Sequence, residues 1–287
     1  MADNLPAPEP VFFALPDHTL VGLQGTDAAA FAQAQFANDV SHLAPGQWQW
    51  NAWLTPKGRV IVLFALLKRA EDDFLLLSPD YPAEALASQL ARLVFRRKLK
   101  IAARPDLHVG GNFAASATAR GALAGLDGET IELDFGADGG QRTLRIGTAP
   151  AAEDMHAQAR WFAFDLAHGL PRLPQSQREQ WTPQQLSLER LPAFSVKKGC
   201  YPGQEIVART HFLGKAKRGL VALSAPAPVP VDAEVELDGS SIGRIVSAST
   251  LEPCFALAVL PLERGSGALS AAGLGLNDIG LRDGLAR

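Results

Sequence analysis

The chemistry of this chain concentrates in one stretch, Lys197-Lys198-Gly199-Cys200-Tyr201-Pro202-Gly203-Gln204-Glu205-Ile206-Val207-Ala208-Arg209. Two lysines directly before a cysteine favour its thiolate by charge, and the flanking glycines permit backbone turns and close approach of a ligand or partner. Gln204 and Glu205 add an amide and a carboxylate, groups able to read a heterocycle with adjacent donors and acceptors, such as a pterin. The plain alternative for Cys200 is a small buried hydrophobe in a tight turn. A Cys/His nucleophilic pair needs a histidine within hydrogen-bonding distance, and spacing alone places neither His168 nor His211 there.

Other chemistries have less support. The chain carries no GxGxxG, P-loop, HExxH or GxSxG, which argues against nucleotide hydrolysis, nicotinamide redox chemistry and the familiar hydrolase mechanisms. Cys200 and Cys254 are its only cysteines. Two are too few for a disulfide scaffold, a four-cysteine zinc site or an iron–sulfur cluster held by this chain alone, so no stably bound metal is expected.

The elements that must position the cysteine stretch are those of an ordinary globular protein: 47% of its 287 residues are apolar and 20% charged. At roughly 150 residues per domain this length predicts about two domains. Twenty-seven basic against 30 acidic side chains leave a net charge of −3. That balance lacks the footprint of a nucleic-acid or anionic-membrane binder, so direct nucleic-acid binding is disfavoured and only local basic patches stay open. The longest apolar run, Val60 to Leu67, has eight residues, against about 20 for a membrane span. The first ten residues have neither the cationic start nor the apolar core of a secretory signal, and a cytoplasmic location is expected.

A helix capped by Thr26 is predicted to run to about Asn38. Gln47 to Thr55 alternates, with Trp48, Trp50 and Ala52 on one face, and Pro56-Lys57-Gly58 turns it into the apolar strand Arg59 to Leu67. Phe74 to Leu77 is a further strand, and Pro82 opens a helix with Leu86, Leu90 and Leu93 on one stripe. The tract Arg96-Arg97-Lys98-Leu99-Lys100 is read as cations complementing that helix's C-terminus rather than as a phosphate site. Residues 128–147 form a hairpin around 136–140, and 151–168 a helix closed by Gly169. From Leu170 to Glu205 the pattern is that of a long ordered loop. Short strands from Leu220 onward, with the Asp238-Gly239 turn among them, predict a small barrel or sandwich starting near 216, and the Ala-Pro-Ala-Pro-Val-Pro stretch at 225–230 an edge or stiff connector.

The run Lys198-Gly199-Cys200-Tyr201-x-Gly203-Gln204-Glu205, followed by Arg209, resembles the signature of the folate-binding YgfZ family, related to the glycine-cleavage T-protein and to a mitochondrial iron–sulfur assembly factor. Gly25-x-Asp27-x-x-x-Phe31-x-Gln33-x-Gln35-x-x-Asn38-Asp39-Val40 is similar to the family's first helix, and Pro56-Lys57-Gly58-Arg59 to its hairpin turn. Trp161 through Gly169-Leu170-Pro171, then Pro183-Gln184-x-Leu186-Ser187-Leu188, resemble its approach to the cysteine loop. The likeness covers residues 15–220 and weakens beyond them.

This resemblance implies an α+β fold, a T-protein-like ring of mixed α/β subdomains with antiparallel sheets around a central opening. The ring would occupy 1–215 as two interleaved subdomains, with a small C-terminal β-barrel over 216–287. It implies binding of tetrahydrofolate or a derivative, and a role in assembling or repairing iron–sulfur enzymes, including tRNA-modifying ones. Those enzymes, or cluster-assembly proteins, would be the partners. Cys200 becomes the functional thiol on an exposed loop, 197–209. Lys198, Gly199, Tyr201, Gly203, Gln204, Glu205, Arg209 and Trp161 become the folate-binding set. Trp161 suits stacking on a flat pterin, against the alternative of a core residue on its helix.

Three departures from the relatives matter. The T-protein carries an acidic catalytic residue on the strand after the first hairpin turn, and Arg59 to Leu67 has no carboxylate, which removes the natural acid/base group for aminomethyl transfer. Some bacterial members have a tryptophan where this chain has His18. Pro202 replaces a frequent threonine and stiffens the loop. The leading reading is a folate-binding accessory protein acting through a partner-facing Cys200. A one-carbon transferase or demethylase competes with it, and a tRNA-binding module resting on Arg96 to Lys100 and Lys215 to Arg218 comes third.

Overall fold

The computed structural model describes residues 11–214 and 216–287; the first ten residues and Lys215 of the second basic tract lie outside them. In chain order the first elements are β1 (Phe13–Ala14), β2 (Thr19–Gln24), α1 (Ala28–Gln35), β3 (Gln47–Leu54), β4 (Val60–Ala70), β5 (Asp73–Ser78) and α2 (Ala83–Ala91). They are followed by β6 (Lys100–Ala103), β7 (His108–Asn112), β8 (Gly125–Asp127), β9 (Thr130–Asp134), β10 (Thr143–Gly147) and α3 (Met155–Ala167). A 3-10 turn at Leu188–Arg190 precedes α4 (Gln204–Phe212). The last strands are β11 (Arg218–Ser224), β12 (Glu234–Leu237), β13 (Ser240–Ala248), β14 (Phe255–Pro261), β15 (Leu269–Ala271) and β16 (Leu274–Asp278).

These strands make two five-stranded antiparallel sheets, β3-β4-β5-β2-β6 and β1-β7-β10-β9-β8, and one closed barrel, β11-β14-β13-β12-β15-β16. The chain enters the second sheet with β1, builds the first with β2 to β6, and returns with β7 to β10, so the two sheets interleave. Strand β4 explains how they share a core. Successive side chains point to opposite faces, and Val62, Phe64 and Leu66 join Phe31, Leu86 and Leu90 of the two helices on one side. Leu63, Ala65 and Leu67 join Trp48, Trp50, Phe135 and Trp161 on the other. A strand covered on both faces reads as a continuous apolar run.

The aromatic layer between the sheets is specific: Trp48 stacks on Phe135 at 5.1 Å and 10°. Helix α1 stops at Gln35, short of Asn38, because the Asn38 side chain donates to the Trp50 carbonyl while its backbone N–H donates to Asn51 Oδ1. Short polar side chains that bond the backbone in this way compete with helix. Asp27, not Thr26, is the residue before α1. Helix α3 starts at Met155, with Asp154 accepting from the Ala157 N–H at 3.0 Å. It closes as expected on Gly169, where the N–H groups of Gly169 and Leu170 return to the carbonyls of Leu166 and Asp165, the paired bonds of a Schellman ending.

The barrel begins at Arg218, and the chain leaves it after Asp278. Residues 279–287 run back as a strap across the two sheets. Leu285 is buried and its carbonyl accepts from Trp50 Nε1 at 2.7 Å. The Arg287 guanidinium donates to the carbonyls of Asp134 and Gly136. Among the described residues no helix is long and apolar enough to cross a membrane.

Candidate functional site

The cysteine stretch is a short turn followed by helix, where the sequence reading predicted loop throughout; α4 begins at Gln204. Gly203 precedes that helix in the left-handed region, φ +81°, and a Cβ there would lie 2.6 Å from both Gly58 Cα and the Thr55 carbonyl oxygen. On Gly58 a Cβ would come 2.9 Å from Ile206 Cβ. The Pro56-Lys57-Gly58 turn and the Gly203-Gln204-Glu205 segment therefore meet glycine on glycine, which only residues without side chains permit.

The polar groups around the cysteine face inward. Lys198 is buried, and its Nζ donates to the Phe36 carbonyl at 2.6 Å and the Asn38 carbonyl at 2.9 Å, just beyond the C-terminus of α1. Burial lowers its pKa to about 8, partly offset by Asp39. Tyr201 donates its hydroxyl to the Ser195 carbonyl, and its phenol is pushed up to about 12 by burial. Gln204 Nε2 donates to the Lys198 carbonyl, and Gln184 Nε2 to the Val207 carbonyl. Cys200 itself is exposed, as are Lys197, Gly199, Glu205 and Arg209. The Lys198 ammonium thus grips backbone carbonyls, so of the two lysines only Lys197 is left with an exposed charge.

The second feature lies where the first sheet, α3 and the barrel meet. A cavity of about 590 Å³ opens between Asp17, Asp80 and Tyr81, Phe162 and Arg172, and Val231 and Ser247 of the barrel side. None of its lining residues belongs to 197–209. A smaller hollow of about 190 Å³ shares Asp17, Phe162 and Arg172 and reaches His18. The Arg172 guanidinium lies 4.1 Å from the Phe162 ring centroid. Asp80 accepts from the Leu173 N–H and from Ser78 Oγ. Burial nevertheless raises its carboxyl to about 6, outweighing those donors and the charges of Arg172 and Arg178.

Behind Arg172 lies a buried polar row. Arg142 Nη1 donates to Asp165 Oδ1 at 2.7 Å, its guanidinium lies 4.3 Å from the Trp161 ring and 3.9 Å from Phe164, and Asp165 Oδ2 is 3.9 Å from Arg172 Nη2. Five buried atoms of this row have no hydrogen-bond partner: His18 Nδ1, Arg142 Nη2, Trp161 Nε1, Asp165 Oδ2 and Arg172 Nε. His18 is held neutral, its pKa well below the ordinary histidine value through burial and then through Arg172 and Arg142. Such orphaned groups mark where a bound molecule or ordered water completes a structure.

Trp161, expected against a pterin, is wholly buried. It packs edge-on against Phe13 at 6.0 Å, and Gly111 is held so close that a Cβ there would lie 2.9 Å from Trp161 Cε3. It is a core residue whose only unmet group is its ring N–H. The sequence reading missed Asp80, Arg142, Asp165 and Arg172. One signal was present: Asp165 falls four positions after Trp161, hence on the buried face of the same helix. Cys254 is buried. Among the described residues no group of three or more His, Cys, Asp or Glu side chains could hold a metal ion.

No family model matches the chain. The tRNA-modifying protein YgfZ of Serratia proteamaculans is 32% identical over 266 residues, which span 83% of this chain and 79% of that relative. An uncharacterized protein of Haemophilus influenzae is 28% identical over 252 residues, spanning 84% of this chain and 85% of its own. Among solved structures, the glycine cleavage system aminomethyltransferase T of Bartonella henselae superposes with a TM-score of 0.68, covering 93% of this chain and 84% of that one. At 14% identity this is a likeness of fold, and it makes the architecture T-protein-like.

Proposed function

The chain belongs to the YgfZ family, and from that membership we propose that it is a cytoplasmic, reduced-folate-binding accessory protein of tRNA modification. It supports the iron–sulfur enzymes involved, through Cys200. The observation that carries the reading is the presented thiol. Cys200 is exposed while Lys198, Tyr201 and Gln204 bind inward and fix the turn that carries it. Cys254 is buried, so Cys200 meets a partner without a resolving thiol from its own chain. Contact with a cluster held by the partner needs the thiol to release its proton to solvent and offer a sulfur lone pair to iron; exchange with a partner disulfide instead needs the thiolate to form a mixed disulfide as the partner's S–S bond breaks and its other sulfur leaves as a thiolate.

Folate fits the junction cavity better than the cysteine turn. Its volume of about 590 Å³ falls in the range of small-molecule sites, roughly 300–1,000 Å³. The Phe162–Arg172 pair offers a flat, cationic surface, and Asp80 a carboxyl for ring N–H groups. Bound there, a tetrahydrofolate supplies a one-carbon carrier. Asp80 and Arg172 orient it, and the buried Arg142–Asp165 pair fixes Arg172 from behind.

A second reading, a one-carbon transferase or demethylase, is favoured by one observation. β4 carries no carboxylate, yet Asp80, raised to about 6 at the cavity, has the pKa of an acid/base group working near neutral pH.

The test pairs two variants. Cys200→Ser is expected to fold, to bind tetrahydrofolate in a calorimetric titration like the parent, and to fail to restore iron–sulfur enzyme activity in cells lacking this chain. Arg172→Ala is expected to weaken folate binding about tenfold or more, the loss of a charge-assisted contact. Full restoration by Cys200→Ser would refute the thiol's role. Formation of methylene-tetrahydrofolate from a methylamine donor, abolished in Asp80→Asn, would put the transferase reading first.

A further inference from the structure

Between Glu84 and Asp106 the chain holds no acidic residue, but Arg92, Arg96, Arg97, Lys98 and Lys100 fall within nine positions. The expectation that these cations complement a helix end needs correction: α2 stops at Ala91 with no basic residue in its last turn, and the tract lies beyond it. None of the ion pairs among the described residues engages any of the five. Arg92, Arg96, Lys98 and Lys100 are exposed. The carboxylate facing the tract, Asp27, accepts from the Lys98 backbone N–H at 2.6 Å.

The turn is anchored from below. Val94 and Leu99 pack on the core under α1 and α2, and the Arg97 guanidinium lies 5.6 Å from the Phe31 ring centroid. Between those anchors Phe95 points outward, 88% exposed. Its backbone sits in the left-handed region at φ +52°, a conformation that disfavours a bulky side chain. The Arg96 guanidinium is 5.4 Å from its ring centroid. A strained backbone thus holds one aromatic face up among unpaired cations, and strain of this kind collects at binding sites.

We infer that this turn is a platform for single-stranded RNA. A base stacks on Phe95 beside Arg96, and Arg92, Lys98 and Lys100 neutralise the phosphates on either side, the combination by which single strands are held without sequence readout. One raised ring is too little apolar surface to enter a bilayer, which takes a broad apolar helix face. At a net charge of −3 the chain as a whole offers a polyanion no general attraction, so the local charge of this tract carries the binding. The platform shares no residue with the cysteine turn or the junction cavity, so it stands or falls independently of the function proposed for them.

The test is a fluorescence-anisotropy titration of the full chain with a labelled, unstructured RNA 12-mer at 50 and 200 mM KCl. Saturable binding at 50 mM is expected, weaker by about 20-fold at 200 mM if about three phosphates are neutralised. Phe95→Ala should lose about tenfold in affinity with the salt dependence unchanged. The double variant Arg96→Gln/Lys98→Gln should flatten the salt dependence. All three side chains are at the surface, so melting temperatures should match the parent. Phe95→Asn, whose side chain tolerates the left-handed backbone, repeats the test if Phe95→Ala does not. Absence of saturable binding, or binding that none of these changes weakens, overturns the inference. Phosphatidylglycerol vesicles bound through Phe95 in the absence of RNA binding also overturn it and reassign the face to a membrane.

Discussion

Asp80 shows how one burial decides a residue's behaviour. Its carboxyl rises from 3.8 to about 6, so between pH 4 and 6 the folded chain holds a proton that the unfolded chain has released. By linkage, this group destabilises the fold once ionised, and the penalty is relieved as pH falls through about 6. Asp80→Asn, neutral throughout, should therefore gain stability relative to the parent as pH rises from 4 to 6 and hold that gain above it. The gain is at most about 3 kcal/mol at 1.36 kcal/mol per pKa unit. Urea unfolding at pH 4.5 and 7 measures it, and an equal difference at both values refutes the assignment. At this scale the cysteine signature was legible because its residue types are rare and adjacent. What Lys198 and Trp161 do was not, because their partners are remote in sequence: Lys198 reaches Phe36 across 162 positions.

The fit between elements rests on the glycine contact of the β3–β4 turn with the start of α4. Gly203→Ala brings a Cβ within 2.6 Å of Gly58 Cα while keeping φ at +81°. The left-handed penalty of about 1–2 kcal/mol and an overpacking cost of about 1–3 predict a loss of roughly 2–5 kcal/mol. Chemical denaturation reads that loss directly, and a variant as stable as the parent removes the contact from the account. The long hairpin and the helices were readable because their apolar periods are strong. β7, His-Val-Gly-Gly-Asn, was not, since two glycines erase its strand signal. α4 gives no apolar helical period because Val207 is its only fully buried residue.

Across the whole molecule, two interleaved sheets and a barrel share one chain, and the junction cavity lies between the first sheet, α3 and the barrel. The short strands of the barrel carry its signal in the sequence, but the strap that leaves it spaces its apolar residues at neither a strand nor a helix period. Its anchor is testable. Leu285→Ala empties a buried site and should cost about 2–5 kcal/mol, with thermal melting as the measure and an unchanged midpoint as the refutation. The barrel should keep its own antiparallel pairing in that variant, since its inner core cluster contains no strap residue, although Leu220, Val246 and Val259 of its other face share the cluster of Leu285.

The bond from Trp50 to the Leu285 carbonyl spans 235 positions, and this sets a timetable for synthesis on the ribosome. At about 5–20 residues per second, Trp50 waits roughly ten to fifty seconds for the segment that covers it. During that interval the nascent sheet presents a tryptophan-rich surface to the cell, so this protein should lean on nascent-chain chaperones.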